Sequence, residues 1–169
     1  MKFFLDIDGV MVHANPHKSV ELEDDGFYKF SYKAVEVFNS VFRKTKDELV
    51  LSTSHRHRYT TEEWKTIFKD RGIVSRKITI LEYDNTRYSR VTRRNEIESW
   101  INDNDLDYED IVILDDDKSL NDLPSRLKER LCLTNSYTGL NDVNDLKHIV
   151  KRKLNTHIYI ECKYYRKKG

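Results

Sequence analysis

Three apolar runs end in polar or acidic residues: "KFFLDID" at 2–8, "ELVLSTS" at 48–54 and "DIVILDDD" at 110–117. A continuous apolar run of this length predicts a strand covered on both faces, as in a parallel sheet flanked by helices. The first run ends in two aspartates, Asp6 and Asp8, with Gly9 next and apolar residues on both flanks. A buried carboxylate costs several kcal/mol or more unless something pairs with it. Either such ends are solvated turns, or a compensating charge meets them.

Between the runs lie helical patterns. "SYKAVEVFNSVFRKT" (31–45) carries Val35, Phe38, Val41 and Phe42 as one stripe. "TTEEWKTIFKDRG" (60–72) opens with a threonine cap and early glutamates and stops at Gly72. "RVTRRNEIESWINDND" (90–105) presents Ile97, Trp100 and Ile101. Pro124 interrupts "SLNDLPSRLKERL" (119–131), so only its second half is expected to be regular. "GLNDVNDLKHIVKRKL" (139–154) reads as a last helix. "KITILEY" (77–83) and "RLCLTN" (130–135) predict further strands, and Asp24-Asp25-Gly26 a hairpin turn. Strands alternating with helices predict an open, mostly parallel α/β sheet with helices on both faces, whose ligands bind at strand carboxyl ends. One domain is expected over 1–154, with a basic, aromatic extension over 155–169.

All three polar clusters fall at strand carboxyl ends. Together they offer at least four carboxylates, a row of hydroxyls and an arginine. Carboxylates sharing one pocket repel each other. Mg²⁺ suits such a pocket, because it takes few carboxylates plus waters and phosphate oxygens. The hydroxyls and the guanidinium of Arg56 would then hold a phosphate. Hydroxyls at a strand end also commonly cap the following helix. Cys132 and Cys162 show no metal or disulfide spacing, and His13, His17, His55 and His57 are expected as surface residues beside the site rather than metal ligands.

These motifs carry a resemblance. "DIDGV" matches the Asp-x-Asp-Gly-[Thr/Val] signature of the haloacid dehalogenase (HAD) superfamily of phosphatases. Ser52 in "LVLSTS" matches its second signature, and "ILDDD" its acidic pair. The basic residue at the start of a preceding helix is Arg93 or Arg94 in "TRRNEIESWI", where the family mostly has lysine; arginine can supply the charge. The run "LSTSHR … RRNEIESWI … VILDDD … LTNSYTGL" looks most like the small HAD domains of RNA repair proteins. It is also similar to the phosphatase half of polynucleotide kinase-phosphatase. The resemblance spans roughly 1 to 150.

It implies a Rossmann-like HAD fold and phosphomonoester hydrolysis through an aspartyl-phosphate. Asp6 would be the nucleophile, and Asp8 the general acid and then base. Ser52 and Arg93 or Arg94 would hold transferring oxygens. Gly9, Thr53, Ser54 and Arg56 would line the substrate, and Asp6, Asp8 (through its carbonyl), Asp116 and neighbouring Asp115 would hold Mg²⁺. The intervals between motifs leave no room for a large cap domain, so a large substrate such as an RNA or DNA end is expected. The basic, aromatic stretches "SHRHRYT" (54–60) and 151–169, with Tyr159, Tyr164 and Tyr165, suit a single strand. A nucleic-acid-binding module with weak or lost catalysis, or a protein phosphatase, are the alternatives. A net charge of +1 favours no partner class. No signal region or long apolar run is present, so a soluble cytoplasmic protein without membrane contact is expected.

Overall fold

A computed structural model describes residues 1–83 and 91–150. Five strands form one wholly parallel sheet: β1 (Lys2–Leu5), β2 (Glu48–Leu51), β3 (Ile78–Ile80), β4 (Ile111–Asp115) and β5 (Leu131–Leu133), in the order β3-β2-β1-β4-β5. The register sets Phe4 beside Val50 on one side and Ile113 on the other. Residues pointing alternately up and down from β1 feed two separate cores.

Phe3 and Leu5 join the larger core with Val37 and Phe38 of α1 (Tyr32–Asn39) and Trp64 and Phe68 of α2 (Thr61–Asp70). Leu146 and Ile149, on the last helix (143–150), pack into the same layer. Phe4 turns to the other face, against Ile97, Trp100 and Ile101 of α3 (Arg93–Asp103) and Leu127 of the single-turn α4 (Ser125–Lys128). Phe4 and Trp100 meet edge to face at 5.4 Å. The chain winds outward through α1 and α2 on one face, then returns past β1 through α3 on the other. A single crossover hand requires this change of face. The reversal sets the carboxyl ends of β1 and β4 side by side, where such sheets bind ligands.

Local signals account for the element ends. Thr60 and Glu63 form a reciprocal capping box, and Thr92 with Asn95 forms another. The helix expected over 31–45 stops at Asn39. Ser40 closes it through its own hydroxyl, which donates to the Val37 carbonyl, and the chain turns so that Asp47 can take the Met1 ammonium at 2.9 Å and the Arg43 guanidinium at 2.8 Å. Phe42 still enters the core, so the apolar stripe is real although the helix is shorter. Before Pro124 the chain forms a 3₁₀ turn over Lys118–Asp122, and only the part after it is α-helical.

Between β1 and α1 the chain makes the expected hairpin, with Leu22 bridged antiparallel to Tyr28. Arg71 anchors it to the end of α2. Its two terminal nitrogens each lie 2.8 Å from the Asp25 carboxylate, and it also donates to the Tyr28 and Phe27 carbonyls. The Arg71 hydrogen bonds hold the Asp25 carboxyl down at about 2. Among the described residues there is no large cap domain, and no helix is long and apolar enough to cross a membrane. The end of the predicted last helix and the whole of the 155–169 extension lie outside the described residues.

Candidate active site

The sheet ladder continues one residue past the strands and brings the polar tips together. Asp6 N–H donates to the Leu114 carbonyl at 3.0 Å, Ser52 N–H to the Leu5 carbonyl at 3.1 Å, and Thr134 N–H to the Asp115 carbonyl at 3.0 Å. Asp6, Ser52 and Asp115 therefore stand side by side, all buried.

β1 itself ends at Leu5, so Asp8 does not lie in a strand as the run over 2–8 suggests. The Ile7 carbonyl instead accepts N–H groups from Val10, Met11 and Val12 in one tight turn. Gly9 holds that turn at φ +71°, and a Cβ there would sit 2.1 Å from Asp116 Oδ2. Glycine is required twice over, for the positive φ and for the approach of Asp116. The Thr134 hydroxyl donates to the Gly9 carbonyl at 2.7 Å and pins the turn to the end of β5. This residue was not apparent in the sequence as part of the site.

Carboxylate oxygens of Asp6, Asp115 and Asp116 lie within 4.8 Å of one another. Burial pushes the Asp6 carboxyl up to about 6, with the charges of Asp8 and Asp116 adding to it and Arg93 opposing. Burial, then the charge of Asp6, drives Asp115 up to about 8. Asp115 Oδ2 is buried and accepts no hydrogen bond among the described residues. Two buried carboxylates held above their ordinary range, with that of Asp116 beside them, are a donor set that a hard divalent cation fits.

Of the two adjacent arginines, Arg93 reaches this cluster. Its guanidinium lies 3.1 Å from Asp115 and 3.7 Å from Asp6. Burial works against its charge, but Asp115, Asp6 and Glu96 outweigh that and raise its pKa. Arg94, one residue on, points elsewhere and pairs with Glu98 at 2.8 Å. Glu96 takes Arg93 at 2.8 Å and Arg56 at 2.6 Å, so one carboxylate aims both guanidinia. Arg93 also donates to the Ser52 carbonyl. Arg56 is spent on Glu96 and the Ser52 and Thr53 carbonyls, bracing the loop after β2 rather than facing the carboxylates. The Ser52 hydroxyl is buried without a hydrogen-bond partner among the described residues, as a phosphate ligand awaiting its oxygen would be. Thr53 is buried, and its hydroxyl accepts the His55 N–H; Ser54 is exposed. His55, expected as a surface residue, is half-buried with Nε2 2.8 Å from Asp8 Oδ2.

The electrostatics predict how a cation couples to pH. Asp6 and Asp115 both titrate above the ordinary carboxylate value when folded, so in metal-free protein each contributes stability at low pH. That contribution is lost as pH rises from about 4 through about 8. A divalent cation held by these carboxylates would bind their ionised forms and reverse the loss. Saturating Mg²⁺ (~100 times Kd) should therefore raise the melting temperature by roughly 5–10 °C near pH 8 and by clearly less near pH 5. Thermal denaturation with Mg²⁺ or EDTA at both pH values checks this; equal shifts would contradict it.

An open cleft of about 420 Å³ adjoins the cluster, lined by Asp116, Lys118, Asn121, Thr134, Asn135 and Tyr137. A model of the family described as "HAD domain in Swiss Army Knife RNA repair proteins" matches residues 3–144. No curated protein is matched by the chain.

Proposed function

Because the chain belongs to the family of HAD domains in Swiss Army Knife RNA repair proteins, we propose that it is a Mg²⁺-dependent phosphomonoesterase acting on a nucleic-acid terminus or nucleotide. The observation that carries the reading is the meeting of buried Asp6 and Asp115 with Asp116 and Arg93 at the ends of β1, β4 and α3. A site built only to bind a phosphate would gather cations; this one gathers carboxylates around Arg93.

Asp6, Asp115 and Asp116 would hold Mg²⁺, which supplies charge neutralisation for an incoming phosphate dianion. Asp6 attacks phosphorus in line: its carboxylate oxygen bonds to phosphorus, the ester P–O bond breaks, and the electron pair leaves with the alcohol oxygen. Asp8 gives that oxygen its proton. Asp8 then takes a proton from water as the water oxygen attacks phosphorus, releasing inorganic phosphate and restoring the Asp6 carboxylate. The Ser52 hydroxyl donates to a transferring oxygen, and Arg93 offsets charge developing there.

The absence of a large cap among the described residues, together with the cleft beside Asp116, suits a substrate whose body extends past the site. Tyr137, well exposed in that cleft, would offer a ring to a base, and Lys118, which also lines it, a cation to a neighbouring phosphate. The basic, aromatic residues 155–169 would extend the contact along a single strand. Phosphate release should be measured from RNA oligonucleotides phosphorylated at the 3′ or the 5′ end, from a phosphopeptide and from p-nitrophenyl phosphate, in Mg²⁺ and in EDTA. The reading expects Mg²⁺-dependent release, fastest from an oligonucleotide. Oligonucleotide binding without release would mark a binding module, and preference for the peptide a protein phosphatase.

A further inference from the structure

The carboxylate of Asp8 lies just past β1, about one-third exposed, on the turn around Gly9. Among the described residues His55 is the one side chain that hydrogen-bonds it, Nε2 to Oδ2 at 2.8 Å. Neighbouring groups lock the imidazole in turn. Phe27 meets it edge-on at 5.6 Å and Tyr28 at 5.3 Å, with ring planes at 82° and 89°. Both aromatics belong to the hairpin that Arg71 holds by its bonds to Asp25 and to the Tyr28 and Phe27 carbonyls. The backbone of His55 is tied to the Thr53 hydroxyl at 3.3 Å. Hairpin, loop and α2 thus converge on one ring whose polar edge faces one carboxylate.

We propose that His55 is a positioning residue that aims Asp8 at the leaving oxygen and so fits the site to phosphate esters of aliphatic alcohols, the class that includes sugar hydroxyls. This rests on the phosphomonoesterase reading above. With His55 Nε2–H donating to Oδ2, the acidic proton of Asp8 resides on Oδ1. As the P–O bond breaks, the electron pair moves onto the alcohol oxygen and the Oδ1 proton follows, leaving a neutral alcohol and an Asp8 carboxylate. A nitrophenolate departs as a stable anion and needs this proton little; an alkoxide needs it fully. Without the imidazole, Asp8 is free to turn into solvent, and orientation of the donor is lost where the chemistry depends on it most.

The test is the ratio of kcat/KM for glycerol 2-phosphate to that for p-nitrophenyl phosphate, measured in Mg²⁺. His55→Ala is expected to lower this ratio by ~10–100-fold. His55→Gln keeps an N–H able to reach Asp8 and should restore the ratio to within a few-fold of the parent. Adding His55→Ala to Asp8→Asn should change the ratio no further, since the imidazole acts through that carboxylate. A merely structural role would lower both esters together. An unchanged ratio in His55→Ala, or a His55→Gln variant as selective as His55→Ala, overturns the proposal. A parent protein that hydrolyses neither ester and releases no phosphate from the phosphorylated oligonucleotides overturns the phosphomonoesterase reading itself, whereas release from the oligonucleotides alone overturns only the inference about His55.

Discussion

Asp6→Asn is expected to lower Mg²⁺-dependent phosphate release by ~10³-fold or more, because an amide oxygen cannot take up the phosphoryl group. The substitution is nearly isosteric at a position only 6% exposed, so the sheet end has no reason to rearrange. Its effect on stability should run opposite to its effect on activity. Burial holds the Asp6 carboxyl up at about 6, so near pH 8 the metal-free parent carries an ionised group that the folded state disfavours. Removing it should leave the metal-free melting temperature unchanged or raised, while reducing the Mg²⁺-induced shift. Phosphate-release kinetics beside thermal denaturation separate a lost nucleophile from a damaged fold. Turnover within about tenfold of the parent would assign the attack to another group.

The second large effect concerns the two adjacent arginines. Arg93→Ala removes the guanidinium 3.1 Å from Asp115 and 3.7 Å from Asp6, leaving both carboxylates without their counter-charge. Loss of one preorganised donor of this kind commonly costs ~10²–10³ in rate. Arg94→Ala removes a partly exposed pair with Glu98, worth at most ~1 kcal/mol of stability, and should change turnover by less than about threefold. Arg93→Lys should recover only part of the activity. An ammonium supplies the charge, but it cannot also fork to Glu96 and the Ser52 carbonyl. Steady-state kinetics on the three variants reads all of this, and comparable losses in Arg93→Ala and Arg94→Ala would refute the assignment.

The strands and their acidic tips were legible because burial on both faces leaves continuous apolar runs, and because Asp6, Ser52 and Asp115 end those runs at one level of the sheet. The cap at Thr60 was legible because its partner lies three residues away. The choice between Arg93 and Arg94 was not, since consecutive helical residues point about 100° apart and the phase depends on where the helix starts. The capping box of Thr92 with Asn95 fixes that start and turns Arg93 inward. His55 and Glu96 were missed for another reason. Their partners Asp8 and Arg56 lie 47 and 40 residues away, and nothing local marks such pairs. His55 and His57 both read as surface residues beside the site, whereas the hairpin over Phe27 and Tyr28 packs on only the first of the two. The helix expected to reach residue 45 was overread because Phe42 fits the stripe; the charges gathered on Asp47 end it sooner.

Carboxylates from separate strand ends are proposed to share one cation so that an Asp6 oxygen can capture phosphorus. A crystal structure of the protein grown with Mg²⁺ and fluoroberyllate tests it most directly. The expected result is beryllium bonded to a carboxylate oxygen of Asp6, with Mg²⁺ at ~2.1 Å from an oxygen of Asp6 and from Asp115 or Asp116. Fluoroberyllate bound elsewhere, or Mg²⁺ seated away from these three aspartates, would contradict it.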